Sequence, residues 1–255
     1  MLKIKNVCSG YDREIIIKDI NATFPSHQIT TIIGPNGCGK STLLKTITKS
    51  IQPLTGEILL HDQSIQELSL IDFAKHVSIL PQVRNIPNTT VETLVSHGRF
   101  PYLGFLRRLS KQDHEMVEYA MELTGVANKR HHPLWELSGG ERQKVYIAMT
   151  LAQDTELIIL DEPTTFLDIN HQLEVLELIT QLKQKGKTFI MVLHDIHHAL
   201  TYSDQVLVMN LGKVEQVGSP SHIFESKIID SIFDIKSKKF TDEDRHYFFF
   251  EKLKK

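Results

Sequence analysis

Residues Gly34-Pro35-Asn36-Gly37-Cys38-Gly39-Lys40-Ser41-Thr42 follow the β-branched run Ile29-Thr30-Thr31-Ile32-Ile33 and precede Leu43-Leu44. A strand has to end where these glycines begin, and the segment from Thr42 to Thr48 reads as a helix starting just beyond them. The spacing from Gly34 through Gly39, Lys40 and Ser41 fits the phosphate-loop pattern, in which backbone N–H groups curl around phosphate oxygens and the lysine neutralises their charge. The plainer alternative is a glycine-rich turn that only starts a helix. The strand before it and the helix after it favour the phosphate reading, because loop N–H groups and the helix dipole then converge on one anion. A nucleotide is the expected ligand.

A chain of 255 residues with 41% hydrophobic content can bury a full core, as one large domain or two small ones. Twenty-nine Lys and Arg against 31 Asp and Glu leave a net charge of -2, so no global basic field draws it to nucleic acid or anionic lipid. No apolar run approaches the ~18 residues of a membrane span, and Met1-Leu2-Lys3-Ile4-Lys5 leads into no signal-peptide core. A cytosolic location is therefore expected. Cys8 and Cys38 read as free thiols. Cys38, inside the loop and near a helix N-terminus, is expected to lean towards thiolate and to react faster than Cys8.

Along the chain, Met1 to Val7, Ile15 to Phe24, Ile29 to Ile33 and Gly56 to His61 read as strands bounded by turn residues. Between Val83 and Trp135 the texture becomes helical, with Val91 to His97 and Gln112 to Leu123 joined by the loop Arg99 to Gly104. Leu157 to Leu160 and Thr188 to Leu193 then read as buried parallel strands around a helix from Asn170 to Gln184. Val206 to Met209 and Lys213 to Val217 form a hairpin, and a mixed tail follows from Ser219, in which Tyr247 to Phe250 read as a packing strand.

Leu157-Ile158-Ile159-Leu160-Asp161-Glu162 is an apolar strand ending in two carboxylates, at the edge where parallel sheets bind ligands. Asp161 suits a magnesium ion shared with Ser41, and Glu162 is then placed to polarise an attacking water. Ser138-Gly139-Gly140-Glu141 matches a capping box that starts the helix through Val145, Ala148 and Leu151. Two glycines in a first turn cost helix stability, yet they leave amides bare for an anion. Both readings hold together, and Ser138 can offer its hydroxyl as well. His194-Asp195-Ile196-His197-His198 looks like a zinc pattern, but that pattern needs one continuous helix. His194 closes a β-rich run, so His197 and His198 are read as solvated helix residues.

Gly34 to Thr42, Leu137 to Glu141 and Leu160 to Pro163, in that order and with a helical insert between the first two, resemble the ATP-binding subunit of an ATP-binding cassette (ABC) transporter over residues 1 to about 218. The resemblance implies an α/β fold with a P-loop NTPase (RecA-like) core, an N-terminal antiparallel β subdomain and an inserted helical subdomain. It places the core in 1–82 and 154–218, the signature-bearing helical subdomain in 83–153 and a tail in 219–255. It implies ATP and Mg2+ as cofactors, bound by Gly34, Pro35, Asn36, Gly37, Cys38, Gly39, Lys40, Ser41 and Thr42. Tyr11 resembles the aromatic that stacks on adenine, and Gln82 the glutamine that senses magnesium and the membrane partner. Ser138, Gly139 and Gly140 resemble the signature that meets the γ-phosphate, and Asp168 the aspartate that links two active sites. The metal set is then Ser41, Gln82 and Asp161, and the catalytic set Glu162, Lys40 and the switch histidine His194.

Two positions depart from the pattern: Glu141 where glutamine is commoner, and Phe166 where a small residue precedes Leu167-Asp168. The resemblance further implies a homodimer with two composite ATP sites at the cytoplasmic face of the membrane. That dimer docks on separate integral-membrane permease subunits through the insert around Gln82 to Gly104, and an extracytoplasmic substrate-binding protein takes part indirectly. His97-Gly98-Arg99-Phe100-Pro101-Tyr102-Leu103-Gly104 and Pro163 to Gln172 are similar to the branch importing iron-siderophores, haem and cobalamin. Iron-siderophore import is the favoured reading. Haem or cobalamin import, an exporter ATPase, and a soluble repair or translation ATPase are the alternatives.

Overall fold

The computed structural model describes residues 1–12, 14–82, 86–104, 108–242 and 245–253. In chain order the first elements are β1 (Leu2–Tyr11), β2 (Glu14–Phe24), β3 (Ile29–Ile33), α1 (Lys40–Ile47), β4 (Thr55–Leu60) and β5 (Gln63–Ser64). There follow α2 (Leu70–His76), β6 (Val77–Leu80), α3 (Val91–Ser96), α4 (Lys111–Leu123), α5 (Gly139–Ala152), β7 (Leu157–Asp161) and α6 (Ile169–Gln184). The last are β8 (Thr188–Val192), α7 (Ile196–Tyr202), β9 (Gln205–Asn210), β10 (Lys213–Gly218), α8 (Pro220–Glu225), α9 (Ile228–Phe233), β11 (Ile235–Asp242) and β12 (Arg245–Lys252). They pack as two compact units, Met1–Glu67 with Thr188–Lys255, and Leu68–Lys187. Among the described residues no helix is long and apolar enough to cross a membrane.

In the first unit every residue of β3 is buried, as expected of a β-branched run covered on both faces. β3 pairs in parallel with β8 and with β9, and β10 closes the edge as an antiparallel partner of β9. A separate antiparallel sheet runs β2-β1-β4-β5. β1 continues to Tyr11, beyond the expected end at Val7, because residues 9–11 keep pairing with β2 across bulges. His198 is buried on α7, not solvated, and burial pulls its pKa below the ordinary histidine value. In the tail, β12 packs Phe248 against Phe224 of α8 at 5.0 Å between ring centroids, while Phe249 stays exposed.

In the second unit β6 and β7 pair in parallel in the register Val77↔Leu157 to Leu80↔Leu160. α4 starts with a full capping box, Ser110 with Asp113. A 3-10 helix over residues 97–102, held by Arg99, takes in the first four residues of the expected loop Arg99 to Gly104. The buried Arg99 donates from Nε to Asp113 Oδ1 at 2.8 Å and from Nη1 to the Ala152 carbonyl at 2.8 Å, and its guanidinium lies over the Tyr102 ring. Tyr102 Oη donates to the Gln153 carbonyl at 2.9 Å. Burial works against the Asp113 carboxylate, yet its hydrogen bonds from Ser110 and Arg99 outweigh it and hold the pKa below the usual range. Tertiary pairing thus overrides the loop signal of Gly98 and Pro101. Arg99→Met strands a buried carboxylate, so it should cost about 3–5 kcal/mol in urea unfolding, whereas Arg99→Met with Asp113→Leu should recover most of that loss.

Candidate active site

The loop after β3 folds on itself before any ligand is considered. Lys40 is buried, and its Nζ donates to the carbonyls of Gly34 at 2.6 Å and Pro35 at 3.0 Å, placing the ammonium across the loop. Cys38 N–H bonds the Pro35 carbonyl at 3.3 Å, and Leu43 N–H bonds that of Gly39 at 2.9 Å. Gly39 sits at φ 103 as the cap of α1, where a Cβ would come 2.6 Å from Ile17 Cγ2, so both backbone and space demand glycine. Asn36, Gly37 and Ser41 are exposed, and Thr42 is buried with its carbonyl taking the Thr46 hydroxyl at 2.7 Å.

Two other predicted residues share this unit. Tyr11, 43% exposed at the end of β1, accepts from Lys45 of α1 at 3.3 Å. His194 is exposed and lies two residues past Val192, which is paired with Ile32. Gly34 lies two residues past Ile32, so the phosphate loop and His194 leave the same edge of the parallel strands. Asp195 caps α7, which puts His194 before the helix and separates it from His198, as the zinc argument required.

The second unit repeats that offset. Gln82 and Glu162 each lie two residues beyond the rung Leu80↔Leu160, and the Gln82 amide donates to Glu162 Oε2. Thr165 Oγ1 donates to the same oxygen at 3.0 Å. Glu162 is buried and has φ 53, a left-handed conformation that costs a non-glycine residue about 1–2 kcal/mol. Asp161 is the last residue of β7.

Ser138 caps α5 as its spacing requires: its hydroxyl accepts Glu141 N–H at 3.3 Å, and its own N–H donates to Glu141 Oε2 at 2.9 Å. Gly139 is exposed with open space around its Cα, but Gly140 is buried under the His171 ring. The two glycines, read from sequence as equivalent, are therefore distinct. Asp168 caps α6, and the backbone N–H and imidazole of His171 hold its carboxyl below the usual range.

The ABC transporter family model matches residues 17–165. The iron(3+)-hydroxamate import ATP-binding protein FhuC of Bacillus subtilis is 43% identical over 91% of this chain and 87% of its own length. The chain belongs to the ABC transporter ATPase family. The petrobactin import ATP-binding protein FpuD of Bacillus anthracis is 41% identical over 94% of this chain and 89% of its own. Among solved structures, the cassette MJ0796, a dimer in a post-hydrolysis state bound to ADP and Pi, superposes with a TM-score of 0.75 at 27% identity, covering 86% of this chain and 99% of that one. The P-loop NTPase fold expected from the sequence is thus the observed one, and ATP is the nucleotide of the family.

For an ABC ATPase, three features could not be read along the sequence. Cys38 is buried, and that burial pushes its thiol up, outweighing Lys40 and the loop amides; the expected thiolate character is reversed. Phe166 is 96% exposed at φ 65, so this departure fills no core. Glu141, the other departure, pairs with Lys129, a residue that no local pattern singled out. The hydrogen bond from Lys129, then that from the Ser138 backbone, lowers the Glu141 pKa from 4.5 to about 2. A lowered carboxylate contributes stability that is full above its unfolded pKa and is lost as pH falls through its folded one. Lys129→Met removes the first of these bonds and should therefore raise the pH at which this stability is lost, read as urea unfolding midpoints followed by circular dichroism across the acid range.

Proposed function

We propose that this chain is the ATP-hydrolysing subunit that powers import of an iron-siderophore chelate, acting as a homodimer with two composite ATP sites on the cytoplasmic face of the membrane. One observation carries the reading: the chain has two surfaces suited to phosphate, the loop Gly34–Thr42 and the exposed Ser138-Gly139 turn at the head of α5. A single nucleotide needs both, and two chains can exchange them. Residues 1–82 with 154–218 serve as the core, 83–153 as the helical subdomain and 219–255 as a tail. Residues 83–85, at that boundary, lie outside the described residues.

Lys40 exchanges its loop carbonyls for phosphate oxygens when ATP enters, Tyr11 stacks on adenine, and His194 contacts the γ-phosphate. The oxygens of Ser41, Asp161 and Gln82 suit Mg2+, a hard cation that keeps most of its shell for water and phosphate. With its amide N–H given to Glu162, Gln82 would keep its carbonyl oxygen for the ion. When bound, Mg2+ neutralises charge between the β- and γ-phosphates. Glu162 acts as general base on the attacking water, its Oε2 oriented by Gln82 and Thr165. The permease docks on the insert around Gln82 to Gly104, where Phe100 and Tyr102 are exposed beside the buried Arg99. The names of FhuC and FpuD, both import proteins for iron chelates or a siderophore, support this substrate class.

Glu162→Gln should keep ATP binding, trap a closed dimer on size-exclusion with ATP and magnesium, and lower turnover by ~10²–10⁴. Lys40→Ala should lose binding, and Ser138→Asp should fold but not close, because its carboxylate meets phosphate. Mixing the last two should restore ATPase activity that neither has alone, since one composite site of the heterodimer carries both defects and the other neither. No complementation would exclude shared sites. In cells lacking the chain, uptake of radio-iron as a ferric siderophore should fall while haem and cobalamin uptake persist; the opposite pattern would exclude the siderophore reading.

A further inference from the structure

Asp168 takes two kinds of bond from one residue. Its Oδ1 accepts the His171 backbone N–H at 2.9 Å, the ordinary cap of α6. The His171 imidazole then folds back, with Nδ1 2.9 Å from Oδ1 and 2.8 Å from Oδ2. The same ring lies against Gly140: a Cβ there would come 2.1 Å from His171 Cδ2 and 2.4 Å from Cγ. Capping needs only the backbone N–H, so the placement of the ring is a separate feature. With the ring in this place the second glycine of the turn has no room for a Cβ, while the first has nothing near it.

We propose that His171 is a positioning residue of the ATPase cycle, which locks the Asp168 carboxylate and the Ser138-Gly139-Gly140 turn into one block. The inference rests on the reading that this turn binds ATP. The block has two halves, a hydrogen bond to Asp168 and a ring filling the hollow at Gly140. Neither is needed to hold α5 and α6 together: Lys144 and Glu174 pair between the two helices at 2.6 Å, and Ser138 keeps its box with Glu141. Removing the ring should therefore loosen the turn without unfolding the unit.

The two halves can be removed one at a time in the full chain. His171→Phe keeps the bulk and loses the N–H donor, and His171→Asn keeps a donor and loses the ring. Each should retain the thermal midpoint and the Kd of the single chain for ATP, because the loop Gly34–Thr42 is untouched. Each should lower kcat on the order of 10-fold, within the ~10²-fold that a misplacement of about 1 Å can cost. Trp135, the chain's one tryptophan, lies three residues before Ser138 and is 55% exposed, so its fluorescence reports on the turn. The Trp135 response to ATP and magnesium should shrink in both variants.

A steric arm tests the Gly140 contact directly. Gly140→Ala should lose activity because the new methyl meets the ring, and Gly140→Ala with His171→Ala should regain part of it. Wild-type kcat and Trp135 response in both single His171 variants would overturn the proposal. So would a Gly140→Ala defect that His171→Ala leaves unchanged, since bare-amide access would then be what requires the glycine. If Ser138→Asp remains active and Trp135 in the unaltered chain ignores ATP, it is the underlying reading of the turn that fails. If Ser138→Asp is inactive while the His171 variants turn over normally, the positioning role alone falls.

Discussion

A parallel strand buried on both faces has nowhere to put a charge, and this constraint decides where chemistry can appear in the chain. All five residues of β3 and all five of β8 are buried. β7 is buried through Leu160 and first reaches the surface at Asp161. Functional side chains therefore begin just past the strand ends. Gly34 and His194 stand two residues beyond the rung Ile32↔Val192, and Gln82 and Glu162 two residues beyond Leu80↔Leu160. Register alone brings each pair to one edge, and in the second pair the side chains meet.

Beyond those edges the backbone has to do the positioning. Gly39 in a left-handed conformation turns the phosphate loop into α1, and Lys40 closes the loop by bonding its carbonyls. Glu162 reaches its place by a left-handed conformation that a glutamate adopts only at a cost, offset by the bonds its side chain receives from Gln82 and Thr165. In the helical segment the same task falls to side chains. Arg99 ties the 97–102 turn to the start of α4 and the end of α5. Lys129 steadies the capping box at the other end of α5.

The local patterns were legible wherever one period dominated. β3 matches its expected bounds, α3 and β7 differ by one residue, and the Ser138 capping box has the expected partners. Local signals misled where distant groups overrode them. Arg99 to Gly104 looked like a loop because the buried partners of Arg99 lie 14 and 53 residues away. Cys38 looked reactive because loop amides and a helix N-terminus favour thiolate, but burial outweighs them.

What the sequence determined by itself is the inventory and its order: a phosphate loop after a strand, a Ser-Gly-Gly helix start, and a strand ending in two carboxylates. These depend on contacts within a few residues, which spacing encodes. Only the tertiary structure decided that Gln82 holds Glu162, that Lys129 holds Glu141, and that His171 lies between Asp168 and Gly140. Of those residues Gln82 was named from resemblance, Lys129 carried no local signal, and His171 entered only as part of the stretch Pro163 to Gln172. Glu141 lies 12 residues from Lys129, and Gly140 stands on a different helix from His171; burial, register and the direction of a side chain exist only once the chain has folded.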